Sequence, residues 1–163
     1  MTTSTARGGR RHAGAGLRSD ARSLRLLLAR LDQDQADLER ARQLLQQARE
    51  LAPVAPRESF ELVHRSALRG AGVLVARANR ERRRALPLNV WTALERLGGE
   101  EAERDEVLGP LVAERTRLDR DASALPDPQL LTQHLEQTAV HLDRVAEKLL
   151  EGLPVPATEQ SQG

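Results

Sequence analysis

With 163 residues and 39% hydrophobic content the chain is long enough to bury one core, and its complete lack of Cys excludes disulfide frameworks and thiolate metal centres. A net charge of +1, from 25 basic and 24 acidic residues, gives no overall bias towards polyanions, and 1% aromatic content leaves almost nothing for stacking on bases. No apolar run reaches the length of a membrane span and the start lacks a signal-peptide core, so a cytoplasmic protein without membrane contact is expected.

Strands favour aromatic and β-branched residues, whereas the apolar residues here are mostly Leu, Ala and Val, which predicts an all-α protein. Charge is laid out in blocks. Residues 1–18 carry Arg7, Arg10, Arg11 and Arg18 with no acid. Arg77, Arg80, Arg82, Arg83 and Arg84 enclose a single Glu81, and Glu100, Glu101, Glu103, Asp105 and Glu106 enclose Arg104. Opposed blocks of this kind suit self-association or solubility at least as well as nucleic-acid binding.

Residues 1–18 have no periodicity and are expected to form a disordered basic tail; residues 19–152 form a single domain, and 153–163 a disordered polar tail. Residues 19–52 contain neither Pro nor Gly. Leu24, Leu31, Leu38 and Leu45 recur every seventh residue, with Leu27, Ala41 and Ala48 at the second apolar position of the heptad. The pattern resembles a coiled-coil seam interrupted by Asp34, leaving open one long helix or a break near residues 32–35. Pro53 and Pro56 end it.

A second helix is predicted over 56–78, where Phe60, Val63, Ala67, Ala71, Leu74 and Ala78 share one face. Pro56 suits its first position, and Glu58 complements the dipole. Gly70 and Gly72 each cost about 1 kcal/mol against Ala in a helix interior. The expected compensation is close approach of a neighbouring backbone along Ser66, Ala67, Gly70 and Ala71. A basic loop then leads to Pro87, and Asn89 caps a short helix over 90–97 that Trp91 and Leu94 anchor, with Gly98 as its stop.

The acidic segment 99–108 runs into Gly109 and Pro110, where a helix is expected to kink or restart, and Leu111, Leu118, Ala122 and Leu125 extend an apolar stripe. Asp127 and Pro128 form an N-cap and first-position pair. The last helix, 129–151, carries Leu131, Leu135, Thr138, Leu142, Val145 and Leu149 on one face. Short connections predict an up-and-down bundle of four to five helices. Phe60, Leu74, Trp91, Leu94, Leu135, Leu142 and Leu149 are its expected core anchors.

Read in order, HRSALRGAGVLVARANRERRR followed by LNVWTALERL resembles the actinobacterial branch of the HEPN superfamily. The features that carry the likeness are His64, Ala67, Leu68, Ala71, Leu74, Arg82, Arg83, Arg84, Val90, Trp91 and Leu94. It is closest over residues 63–97 and looser to residue 150; residues 1–36 fall outside it. The resemblance implies a helical bundle that commonly pairs as a homodimer. The superfamily includes metal-independent ribonucleases alongside inactive interaction or nucleotide-binding modules.

Catalytic HEPN members carry an Arg followed, after four to six residues, by a His that opens a late helix. Arg would stabilise phosphoryl charge and His would shuttle a proton. Arg57 and His64 have this spacing, as do Arg7 and His12 in the tail. Composition alone yields about two such matches by chance, so the spacing is uninformative. Arg57 also opens an early helix, and His64 shares the face of Phe60, Ala67 and Ala71.

The expectation is therefore a non-catalytic interaction module acting as a homodimer, with a further protein partner unidentified. The alternative is a ribonuclease using Arg57 and His64; nucleic-acid contact through Arg77, Arg80, Arg82, Arg83 and Arg84 ranks third. No cofactor or metal is expected. His134 and His141 lie two turns, about 10.5 Å, apart along a helix, and the Gly70–Gly72 run lies inside a helix and not in a phosphate loop. Pairing is expected from apolar stripes on the first and last helices, from Gly70 and Gly72, and from the opposed charge blocks.

Overall fold

The computed structural model describes residues 10–97, 99–151 and 153, and among these the side chains of 16, 18–97, 99, 109–151 and 153. Five helices follow one another: α1 (Arg10–Leu51), α2 (Pro56–Arg80), α3 (Val90–Leu97), α4 (Gly99–Arg120) and α5 (Pro128–Leu150). No strand occurs among the described residues, so the protein is all-α. The chain divides into two units, Met1–Gln33 and Asp34–Gly163. The second is the helical bundle.

Helix α2 is the element on which the bundle is built. It packs on α3, α4 and α5, and ten of its residues are buried. Two seven-residue spacings fit it to the second half of α1. Ser59 Oγ donates to the Ala48 carbonyl and Ser66 Oγ to the Ala41 carbonyl, each at 2.6 Å, and all four residues are 0% exposed. A seryl hydroxyl reaches another helix's backbone only when the axes are close, near the lower end of the usual range, about 8 Å. The rising numbers on α2 meet falling numbers on α1, so the two run antiparallel. Leu38 and Leu45 are buried beside this seam.

Arg115 of α4 meets Glu61 of α2, while Arg57 meets the far end of α4, so α4 also runs antiparallel to α2. Helix α5 runs parallel to α2, pairing Phe60 with His134 and Gly70 with His141 and Leu142. The result is the up-and-down bundle. Of the expected anchors, Phe60, Leu74, Leu94, Leu142 and Leu149 are buried, whereas Trp91 and Leu135 are half-buried. Trp91 and Leu130 cover a pair formed by Ala67 and Leu111.

The local signals hold at the caps. Asn89 Oδ1 accepts from the Thr92 amide at 3.1 Å, and Asp127 Oδ1 accepts from the Gln129 and Leu130 amides. Three expectations change. Helix covers residues 10–18, part of the expected tail, since extending an existing helix needs no new nucleus; of the two readings left open for the first helix, the single helix holds, because Asp34 finds a partner. The remainder of the expected tails, 1–9 and 154–163, lies outside the described residues, as does Gly98. Helix α4 continues through Pro110, which forfeits one amide bond and keeps its ring on the exposed side. Finally, α4 ends at Arg120, so Ala122 and Leu125 are exposed and do not extend the stripe of Leu111 and Leu118.

The two glycines of α2 separate cleanly. A Cβ on Gly70 would meet Leu142 Cδ2 at 2.5 Å and the His141 ring at 3.2 Å, so α2 and α5 touch there only because the side chain is missing. Gly72 has nothing within 4 Å of such a Cβ. Gly70→Ala should therefore destabilise the protein by about 1–3 kcal/mol through overpacking. Gly72→Ala should stabilise it by about 0.5–1 kcal/mol through helix propensity. Urea unfolding of both variants checks the opposite signs.

Candidate functional site

The first turn of α2 places Arg57 against the end of α4. Its Nη1 donates to the carbonyls of Asp121 and Ala124, both at 2.9 Å, and its Nη2 to the carbonyl of Leu118 at 2.6 Å. Carbonyls at a helix C-terminus lack intrahelical partners and sit at the negative end of the dipole, so a guanidinium is a natural cap. Asp121 helps to shape this turn. Hydrogen bonds from the Ser123 hydroxyl and amide, at 2.7 and 3.0 Å, hold its carboxyl below the ordinary carboxylate value.

His64 stands two turns further along α2, about 10.5 Å by helix geometry, and is 5% exposed. Its ring centroid lies 6.4 Å from that of Trp91 and 6.3 Å from that of His134; Phe60 meets His134 edge-on at 5.1 Å. Burial, followed by the nearby Arg115 charge, pushes the His64 pKa down. Burial and the neighbouring His64 push His134 down to about 4. Thr138 Oγ1 lies 3.2 Å from His134 Nδ1, and His134 Nε2 is enclosed without a hydrogen-bond partner among the described residues. His141 is buried as well, against Gly70. Phe60, His64, Trp91 and His134 form a layer of neighbouring rings, in which burial disfavours the charged forms of the two histidines.

Arg57 and His64 are thus not brought together. Between α2 and α4 lies an open groove of about 440 Å³, lined by Arg57, Arg65, Arg115, Glu58, Glu61 and Asp119 among others. Glu61 accepts from Arg115 at both oxygens, each at 3.0 Å, and pairs with Arg65 at 3.4 Å. The Arg115 hydrogen bonds chiefly keep its carboxyl below the ordinary value. A carboxylate held ionised in this way is a poor proton acceptor at neutral pH.

The expected basic patch divides in two. Arg77 donates to the Lys148 carbonyl at the end of α5, and Arg80 forms a two-pronged pair with Asp34, both contacts at 2.7 Å. Asp34 is only 4% exposed. Arg82, Arg83 and Arg84 are exposed on the loop that follows. That loop is pinned where the Leu86 amide donates to Asn79 Oδ1 at 2.8 Å and Leu86 itself is buried. The acidic side chains of 100–106 lie outside the described residues. Among the described residues no group of three or more His, Asp or Glu could hold a metal ion, and no helix is long and apolar enough to cross a membrane.

Sequence reasoning missed the roles of Ser59, Ser66, Arg77 and Asp34. The matched spacing of Ala41 and Ala48 with Ser59 and Ser66 is the one signal that could have revealed the α1–α2 seam. Comparison with protein-family models, curated proteins and solved structures found no match to this chain.

Two outcomes follow from this geometry. Arg57→Ala should cost about 1–3 kcal/mol in urea unfolding, since three carbonyls lose a charged donor. His134 has a folded pKa of about 4 against 6.5 unfolded, so its contribution is complete above pH 6.5 and is lost as pH falls towards 4. The loss is about 3 kcal/mol for a shift of this size. His64, shifted the same way, steepens it. Unfolding free energies between pH 7 and 5 should fall in the wild type and fall less in His134→Gln.

Proposed function

We propose that this chain is a HEPN-like cytoplasmic interaction module that acts as a homodimer and carries out no catalysis of its own. The observation that supports this reading is the commitment of Arg57 to three backbone carbonyls while His64 stays in the core. An Arg that stabilises phosphoryl charge must be free to meet it, and a His that shuttles protons must reach solvent or substrate. Neither condition is met. Of the acids of the groove, Glu61 is paired with Arg115 and Arg65.

Incubation of the purified protein with structured and single-stranded RNA, without added metal, tests the reading. Both RNAs should stay intact. Cleavage that disappears in Arg57→Ala and His64→Ala, with Trp91 fluorescence unchanged, would establish the ribonuclease reading instead. The exposure of Arg82, Arg83 and Arg84 favours nucleic-acid contact as a second reading. In that case replacing the three with Ser should abolish binding of a fluorescent RNA, and the wild-type affinity should fall steeply with salt.

A further inference from the structure

The first unit of the chain carries an exposed apolar face. Leu24, Leu27 and Leu28 on α1 are 49%, 44% and 46% exposed, and Leu31, one turn on, is half-buried. Three-, one- and three-residue steps set these four leucines on one stripe of a helix. Large apolar side chains in a row, on a helix outside a core, do not hold a helix together in water.

We propose that this face binds the same face of a second copy of the chain, antiparallel, about a two-fold axis between Leu27 and Leu28. The inference rests on the homodimer reading and assigns it a surface. The spacing of the leucines is a palindrome: reversed, it maps Leu24 onto Leu31 and Leu27 onto Leu28, so the stripe is its own complement under a two-fold. Ala21 and Ser23, which flank the seam, are small, and the charges at its edges are Arg25, Arg30 and Asp32. The antiparallel register also sets Asp32 beside Arg25 of the second copy, twice. A parallel register would press Asp20 onto Asp20 inside the seam. Acids at the face, Asp20 on it and Asp32 at its edge, suit a protein partner better than an anionic lipid surface, which selects basic residues there.

The chain has no Cys, so single-Cys variants report the register without background. The full-length protein at micromolar concentration should sediment at about twice its 18.0 kDa mass. Leu24→Gln combined with Leu28→Gln should weaken pairing at least ten-fold and return a monomer, with Trp91 fluorescence unchanged because both residues lie outside the bundle. Gln is nearly as good a helix former as Leu, so the loss reads the contact. Leu28→Cys should cross-link with itself. Leu24→Cys should not, since the two copies of residue 24 stand about 10.5 Å apart, but it should cross-link when mixed with Leu31→Cys.

A dimer that survives the double substitution would overturn this surface and leave the homodimer reading standing. A wild-type monomer would overturn both, and so would a monomer that floats with phosphatidylserine vesicles, which would assign the face to lipid. Self-cross-linking of Leu24→Cys alone would overturn the antiparallel register.

Discussion

How near other backbones can come to α2 decides the rest of this bundle. The chain has only one Phe and one Trp, and the Trp is only partly buried. With so few large side chains, apolar area must come from close approach of helices. Ser59 and Ser66 against Ala48 and Ala41 provide it on one side of α2, and Gly70 against His141 and Leu142 on another. Small residues lose little side-chain entropy on burial, and each seryl hydroxyl of the α1–α2 seam keeps a hydrogen bond. The cost is intolerance of volume at a handful of positions.

Arginine completes what small residues begin. Arg57 and Arg77, near opposite ends of α2, cap the C-terminal carbonyls of α4 and α5, and Arg80 reaches Asp34 on α1. Each contact joins α2 to a different neighbour. The planar guanidinium supplies several donors in one fixed fork, which Lys lacks. Asp34 stands where the heptad of α1 would otherwise place an apolar residue, and burying its charge is tolerable only because Arg80 meets both oxygens. Two of the five arginines that read in the sequence as a basic patch, Arg77 and Arg80, are therefore internal fastening.

This explains which parts of the molecule were legible in the sequence. The apolar faces of α2 and α5, the Asn89 and Asp127 caps and the Pro56 start depend on neighbouring residues and stand in the structure, whereas the stripe read through Ala122 and Leu125 does not. Gly70 was legible as a close contact because its helix cost needed a reason, although it meets the Leu142 and His141 side chains and not the expected backbone; the same reasoning misjudged Gly72, which has nothing within 4 Å. Pro110 reads as a kink or restart, and no restart occurs, since one missing amide does not end a helix. The uses of Arg57, Arg77 and Asp34 depend on residues 46 to 71 positions away, and no local pattern encodes them.

The histidines show why a motif at correct spacing can carry no chemistry. A proton shuttle needs a pKa near the working pH and an open path for the proton. His64 and His134 lie in a layer with Phe60 and Trp91, where each ring supplies the flat contact area that the scarce aromatics cannot. Burial disfavours their charged forms, and because they face each other, a proton on one makes a proton on the other still less favourable. The same placement that makes them useful as packing also holds their pKa values down. A catalytic role would require His64 to leave this layer, exposing Phe60 and opening the seam between α2 and α5 from which the bundle takes its shape.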